Sequence, residues 1–88
     1  MKILGIEHIG IAVKGIDQDA PFWKHILNLS HQGTEVVKDQ GVTTDIYDTG
    51  KGKIELLESL GVDTPIGKFL EKKGPGIHHV CFEVDSVN

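Results

Sequence analysis

His8, Glu55 and His79 have the types and placement to hold a metal ion. Each lies opposite the clearest apolar phase of its own strand-like run: Ile9/Ile11 for His8, Ile54/Leu56 for Glu55 and Val80/Phe82 for His79. Side chains on a strand alternate between faces. If the apolar phases pack beneath helices, the other phases line a cupped sheet surface. Two neutral imidazoles and an anionic oxygen could coordinate a divalent cation there. Three ligands leave such a site incomplete, and small Gly10 and Ala12, in phase with His8, leave room beside the ion for a substrate. The competing account makes His8 and His79 half-buried, hydrogen-bonded strand histidines and Glu55 a rim charge.

The elements that must position these groups follow from periodicity. Residues 3–13 carry Ile9, Ile11 and Val13 at period two, which predicts a strand with Glu7, in that same phase, at its solvent-reachable end. Asp17 offers a helix cap, Pro21 suits an early turn, and Phe22, Ile26 and Leu29 form a helical stripe widened by Trp23 and Leu27, predicting a helix over about 18–29. Strands are predicted at 31–37, 42–48 and 53–58, with Thr49-Gly50-Lys51-Gly52 as a hairpin turn. After Gly61, Thr64-Pro65 precedes a short amphipathic helix carrying Ile66, Phe69 and Leu70, which ends in Lys72-Lys73-Gly74. The final run, 77–85, puts Val80, Phe82 and Val84 in one phase and His79, Cys81 and Glu83 in the other.

An internal repeat links the two histidines. Gly5-Ile6-Glu7-His8-Ile9 through Val13, Ile16 and Asp17 returns 71 positions later as Gly76-Ile77-His78-His79-Val80 through Val84, Val87 and Asn88. A nitrogen pair from equivalent positions of two units is a natural way to place ligands across a pseudo-twofold centre, which favours the metal reading. The second copy stops at Ser86-Val87-Asn88, where its helix should begin, so the expectation is a truncated chain from a two-unit protein of roughly 140 residues. Alternatively the chain is complete, and its last strand pairs back onto the first sheet or onto another subunit. An uncovered Val80/Phe82/Val84 face would favour association, so a homodimer is possible.

Composition removes several function classes. Nine Lys and no Arg against thirteen acidic residues give a net charge of −4, which disfavours nucleic acid and polybasic membrane binding. Cys81 is a single cysteine, and no apolar run approaches the ~18 residues of a membrane span, so a cytoplasmic protein is expected.

The segments IEHIGIAVKGID, FWKHILNL, QGVTTDIYDTG, KIELLESLGVDTPIGKFLEKKGPG and IHHVCFEVD cover almost the whole chain. In this order they resemble the vicinal-oxygen-chelate (glyoxalase/bleomycin resistance/dioxygenase) family. HIGIAV points to the family at large, whereas IELLES and TPIGKFLEKKGPGIHHVCFEVD resemble its methylmalonyl-CoA epimerase branch. The resemblance implies an α+β fold of paired βαβββ modules. Residues 1–75 would be the first module with a connecting helix, and 76–88 the first strand of a second module cut after that strand. It also implies His8, Glu55 and His79 as metal ligands, with the family's fourth ligand, a late glutamate, beyond this chain.

The implied reaction is metal-dependent epimerisation of an acyl-CoA thioester. The proton between thioester and carboxylate leaves, a metal-stabilised enolate forms, and reprotonation on the other face inverts the centre. Cobalt, manganese and zinc all suit the nitrogen and oxygen donors. The 88-residue chain alone is expected to be inactive. Thr44 stands where related epimerases carry a glutamate acid/base and is itself a poor base, so the catalytic groups stay unassigned. Asp45 is adjacent, but on a regular strand it faces away unless a bulge re-aims it. A glyoxalase-like lyase or isomerase, or a metal-free small-ligand binding or resistance protein, are the alternatives on the same scaffold.

Other residues have plainer expectations. His78 should point away from His79, and His25 and His31 should be surface residues. Phe22 and Trp23 read as core or interface aromatics, Cys81 as inert packing near the cavity, and Lys72-Lys73 as a solvated helix end that could alternatively meet an acidic CoA tail. Gly50-Lys51-Gly52 lacks the pattern of a phosphate loop.

Overall fold

Alternation along the first strand gives the sheet two different faces, and one helix packs against part of each. The computed structural model describes residues 1–87; Asn88, which the repeat pairs with Asp17, lies outside the described residues. Strands β1 (Ile3–Val13), β2 (Ser30–Val37), β3 (Val42–Asp48), β4 (Lys53–Ser59) and β5 (Gly76–Val84) form one mixed sheet in the order β2-β3-β4-β1-β5. Helix α1 (Ile16–Pro21) follows β1, and α2 (Pro65–Lys73) joins β4 to β5. Strand β1 pairs in parallel with β4 and antiparallel with β5. This is the expected βαβββ arrangement with a further strand beside β1. Among the described residues no helix is long and apolar enough to cross a membrane.

Val13, Tyr47 and Leu56 form the core under α1, with Ile11, Ile16, Ala20, Trp23, Leu29 and Ile54 against it. Ala12, Val42, Leu57 and Ile66 form the second core, under α2. Neighbours in sequence, Ala12/Val13 and Leu56/Leu57, thus serve opposite faces, as strand alternation requires.

The first helix differs from expectation in both its cap and its phase. It begins at Ile16 rather than near residue 18, with Gly15 as N-cap and no capping side chain of its own; Asp17 lies inside it. Glu58, 42 positions later on β4, accepts the Ile16 N–H at 2.7 Å, placing a carboxylate on the orphan donors and positive dipole of the helix start. Pro21 lacks an N–H, and after it the coil widens to a π-helical turn over Phe22–Ile26, closed by Leu27 N–H to Phe22 O at 2.9 Å. With the wider turn, Ile16, Ala20, Trp23 and the expected Leu29 pack half-buried on the core, while Phe22, Ile26 and Leu27 are exposed.

Helix α2 follows its sequence signals. Thr64 Oγ1 accepts from Gly67 N–H at 3.0 Å, and Gly74 ends the helix at φ 74°, a positive value suited to glycine. Along β1 and β5, pairing is interrupted. Ile6 faces Phe82 but His8 faces Cys81, leaving Glu7 as an extra residue; Gly10 faces His79 but Ile11 faces Ile77, leaving His78 as another. Ile77, Val80 and Phe82 of β5 remain exposed.

Candidate metal centre

The rung Glu55, Gly10, His79 crosses β4, β1 and β5, since Gly10 is the register partner of both others. His8 lies two residues before Gly10 and therefore on the same face. Gly10 has no side chain to fill the middle of the rung. A Cβ there would fall 2.7 Å from both ring nitrogens of His79, so the imidazole needs this glycine to lie across the strand. The His8 and His79 rings meet edge to face, with their Nε2 atoms 3.0 Å apart.

Glu55 approaches His8 from the other side of its ring, with Oε2 3.7 Å from Nδ1. Glu7 Oε1 is closer to the same nitrogen, at 2.7 Å, and its Oε2 lies 3.7 Å from Lys53 Nζ. Ligand atoms of Glu7, His8 and Glu55 all fall within 4.8 Å of one another. A cavity of about 460 Å³ opens over this face and is lined by His8, Glu55, His79, Thr44, His78 and Asp39, among others.

Two imidazoles with carboxylates beside them are donor types that a divalent cation takes, and among the described residues the ligand atoms that come within 4.8 Å of one another are those of Glu7, His8 and Glu55, without His79. Two nitrogens each about 2.1 Å from one ion and at right angles to it stand roughly 3.0 Å apart, the spacing seen here. Burial, reinforced by electrostatic repulsion from His8 and His78 whenever those rings are protonated, holds the His79 imidazole below its usual pKa against the opposing pull of Glu55. That favours the neutral ring a metal requires. Bonding to His8, helped by Lys53 and opposed by burial, keeps the Glu7 carboxyl below the usual range.

His8, Glu55 and His79 thus line one hollow, although Glu55 reaches His8 at Nδ1 rather than at the nitrogen facing His79. Thr44 is also in the hollow, its hydroxyl donating to the Glu35 carbonyl at 3.3 Å. Asp45 is not: β3 keeps a regular register against β4, so Asp45 points to the opposite face, where it is buried among Tyr47, Thr34 and His31. There it accepts from the Tyr47 hydroxyl, from Thr34 Oγ1 at 2.7 Å and from His31 Nε2 at 2.5 Å. His31 is therefore a partner of a buried charge rather than a simple surface residue.

His78 departs from expectation too. As the extra residue of a bulge it turns toward the cavity, with Nδ1 2.9 Å from His79 Nδ1 and its ring edge-on to Phe69. Glu7 is brought to His8 by the equivalent bulge on β1. Asp39, in the turn before β3, was not singled out by sequence. Cys81 does not line the cavity, and Lys72 and Lys73 border a neighbouring groove with Phe69 and His78. Trp23 packs on the α1 core with Phe22 edge-on to it, and His25 is exposed.

Residues 7–88 match the family described as the Glyoxalase/Bleomycin resistance protein/Dioxygenase superfamily. The human protein named methylmalonyl-CoA epimerase, mitochondrial, is 39% identical over 84 residues, 94% of this chain and 48% of its own length. A crystal structure of a hypothetical protein from Bacillus halodurans superposes with a TM-score of 0.89 at 44% identity, covering 93% of this chain and 59% of that one. A Streptomyces coelicolor methylmalonyl-CoA epimerase variant, solved with 2-nitronate-propionyl-CoA, gives 0.86 at 33% identity over 98% of this chain and 66% of that one. The chain spans about half the length of the curated relatives it matches. It belongs to the glyoxalase/bleomycin resistance protein/dioxygenase superfamily.

Proposed function

We propose that the hollow serves metal-dependent epimerisation of a methylmalonyl-CoA-type thioester. The observation that carries this reading is the pair of Nε2 atoms of His8 and His79, 3.0 Å apart at equivalent positions of the repeat and open to a cavity of about 460 Å³. Relatives named as methylmalonyl-CoA epimerases support the choice of substrate.

His8, His79 and Glu55 would hold the ion, for which cobalt, manganese and zinc all suit the donors. A divalent cation in such a site supplies positive charge to oxygens that become negative during proton transfer. Residues of the full-length protein must take the α-proton from one face of the carbon and return a proton to the other, with no net change in substrate composition. Thr44 cannot serve as the base, and Asp45 faces away. Asp39 is the other carboxylate lining the cavity besides Glu55, and we assign it one of the two proton-transfer roles. Apolar Val42, Leu57 and Ile66 on the same wall limit water around the reacting carbon. The exposed Ile77, Val80 and Phe82 of β5 favour association with a second copy.

The test is α-proton exchange of methylmalonyl-CoA in heavy water by the full-length protein that contains this chain, with and without chelator, beside a glutathione hemithioacetal as competing substrate. Chelator-sensitive exchange of the CoA thioester alone is expected. Turnover of the hemithioacetal alone, or exchange that ignores the chelator, would overturn the reading.

A further inference from the structure

The residues immediately before the two paired histidines, Glu7 and His78, occupy the same place in the repeat and are each the extra residue of a β-bulge. On a regular strand both would point away from the hollow. The bulges turn each toward the histidine that follows it, and each then meets that ring at Nδ1: Glu7 Oε1 at 2.7 Å from His8, and His78 Nδ1 at 2.9 Å from His79.

The two partners differ in what they can do. An ionised carboxylate only accepts hydrogen bonds, so at 2.7 Å it requires the proton of a neutral His8 to sit on Nδ1, leaving the Nε2 lone pair aimed at His79. Imidazole can accept or donate. When His78 Nδ1 accepts from His79 Nδ1–H, His79 Nε2 also presents a lone pair. When it donates, His79 carries its proton on Nε2 and gives it to His8. His8 is thus fixed, and His79 can exchange between a cation-ready form and one hydrogen-bonded to His8, each ring keeping one proton while one leaves His78 Nε2 to solvent and one arrives at His79 Nε2.

We propose that Glu7 is a positioning residue that locks His8 as the Nδ1–H tautomer, with His78 as its adjustable counterpart on His79. Glu7 is itself near enough to the ring and to Glu55 to be taken for a metal ligand. Its two oxygens, however, are already engaged by His8 Nδ1 and the Lys53 ammonium, and binding through His8 Nδ1 would leave the converging Nε2 pair unused. The inference rests on the metal reading for its purpose but not for its test.

Nitrogen-15 correlation spectra of the histidine side chains in the metal-free chain read the tautomer directly. Wild type should show His8 protonated at Nδ1. Glu7→Gln, whose amide oxygen still accepts, should keep that form, and Glu7→Ala should give a mixture with Nε2–H. Cobalt(II) titration followed by visible absorption should show roughly 10- to 100-fold weaker binding for Glu7→Ala, largely rescued in Glu7→Gln with an unchanged spectrum. An unchanged His8 tautomer in Glu7→Ala overturns the proposal, as does a cobalt spectrum in Glu7→Gln that reports a lost ligand. If the tautomer shifts as stated but cobalt fails to bind even wild type, the positioning role stands and the metal reading falls.

Discussion

Removing the Asp45 carboxylate separates a buried structural charge from a catalytic one. Asp45 is 2% exposed and accepts from three side chains, one of which, the Tyr47 hydroxyl, belongs to a residue that is 0% exposed. Asp45→Ala strands that hydroxyl, at a cost of about 1–3 kcal/mol for an unsatisfied buried donor. It also removes a charge-assisted bond to His31, worth about 1.5–3 kcal/mol before water replaces part of it. Thr34 and His31 are exposed and can turn to solvent, so the total should be about 3 kcal/mol, a loss of roughly 12–24 °C in Tm for a domain of this size. Asp45→Asn keeps an acceptor oxygen and should cost about 1–2 kcal/mol. Urea unfolding followed by the fluorescence of the single tryptophan, Trp23, measures both.

Acidity gives the same experiment a second axis. Burial pushes the Asp45 carboxyl up, but its bonds from Tyr47, Thr34 and His31 outweigh this and hold it below the usual value of 3.8. Its contribution is therefore fully present above that value and is lost as pH falls through the lower folded-state value. The gap between wild type and Asp45→Asn should narrow on acidification below about pH 4. Cobalt affinity should be unaltered wherever the variants remain folded. A variant with wild-type stability but impaired cobalt binding would refute the assignment of Asp45 to the back of the sheet.

Gly10→Ala should drive the His79 ring off β1 and weaken cobalt binding by about tenfold or more, equivalent to 1.4 kcal/mol, in calorimetric titration; undiminished affinity would show that the ring does not need the rung. In the full-length protein, Asp39→Asn should lower the rate of α-proton exchange at least tenfold with cobalt affinity preserved, whereas Thr44→Glu, which adds a carboxylate to the cavity wall, should raise the rate; unchanged exchange in both removes these positions from proton transfer. Glu58→Ala should cost about 1–2 kcal/mol in urea unfolding, because the Ile16 N–H loses its carboxylate acceptor, and Glu58→Gln less than that.

Strand positions were legible because Val, Ile and Thr alternate with polar residues between glycine-rich turns, and α2 was legible because Thr64, Pro65 and Gly74 punctuate it. His8, Glu55 and His79 could be placed on one face by parity alone. Parity fails at a bulge, which is why it does not reveal that His78 turns into the cavity or that Glu7, although solvent-reachable as expected, meets the His8 ring: an extra residue in the pairing of β1 with β5 leaves no mark in either strand's own pattern. The Asp45 network needs cross-strand register, Thr34 opposite Asp45 and His31 opposite Tyr47, and only the folded hairpin supplies it. For α1, the stripe was read at a constant 3.6 residues per turn, whereas the coil widens after Pro21 and its cap arrives from Glu58 in β4.

Calorimetric titration of cobalt(II) into wild type, His8→Ala and His79→Ala measures the convergence of the two rings most directly. Saturable binding to wild type, abolished or reduced at least tenfold in each variant while circular dichroism shows the sheet intact, is the predicted result. Equal cobalt affinity in all three proteins, or none in wild type, would contradict a metal centre built on this pair.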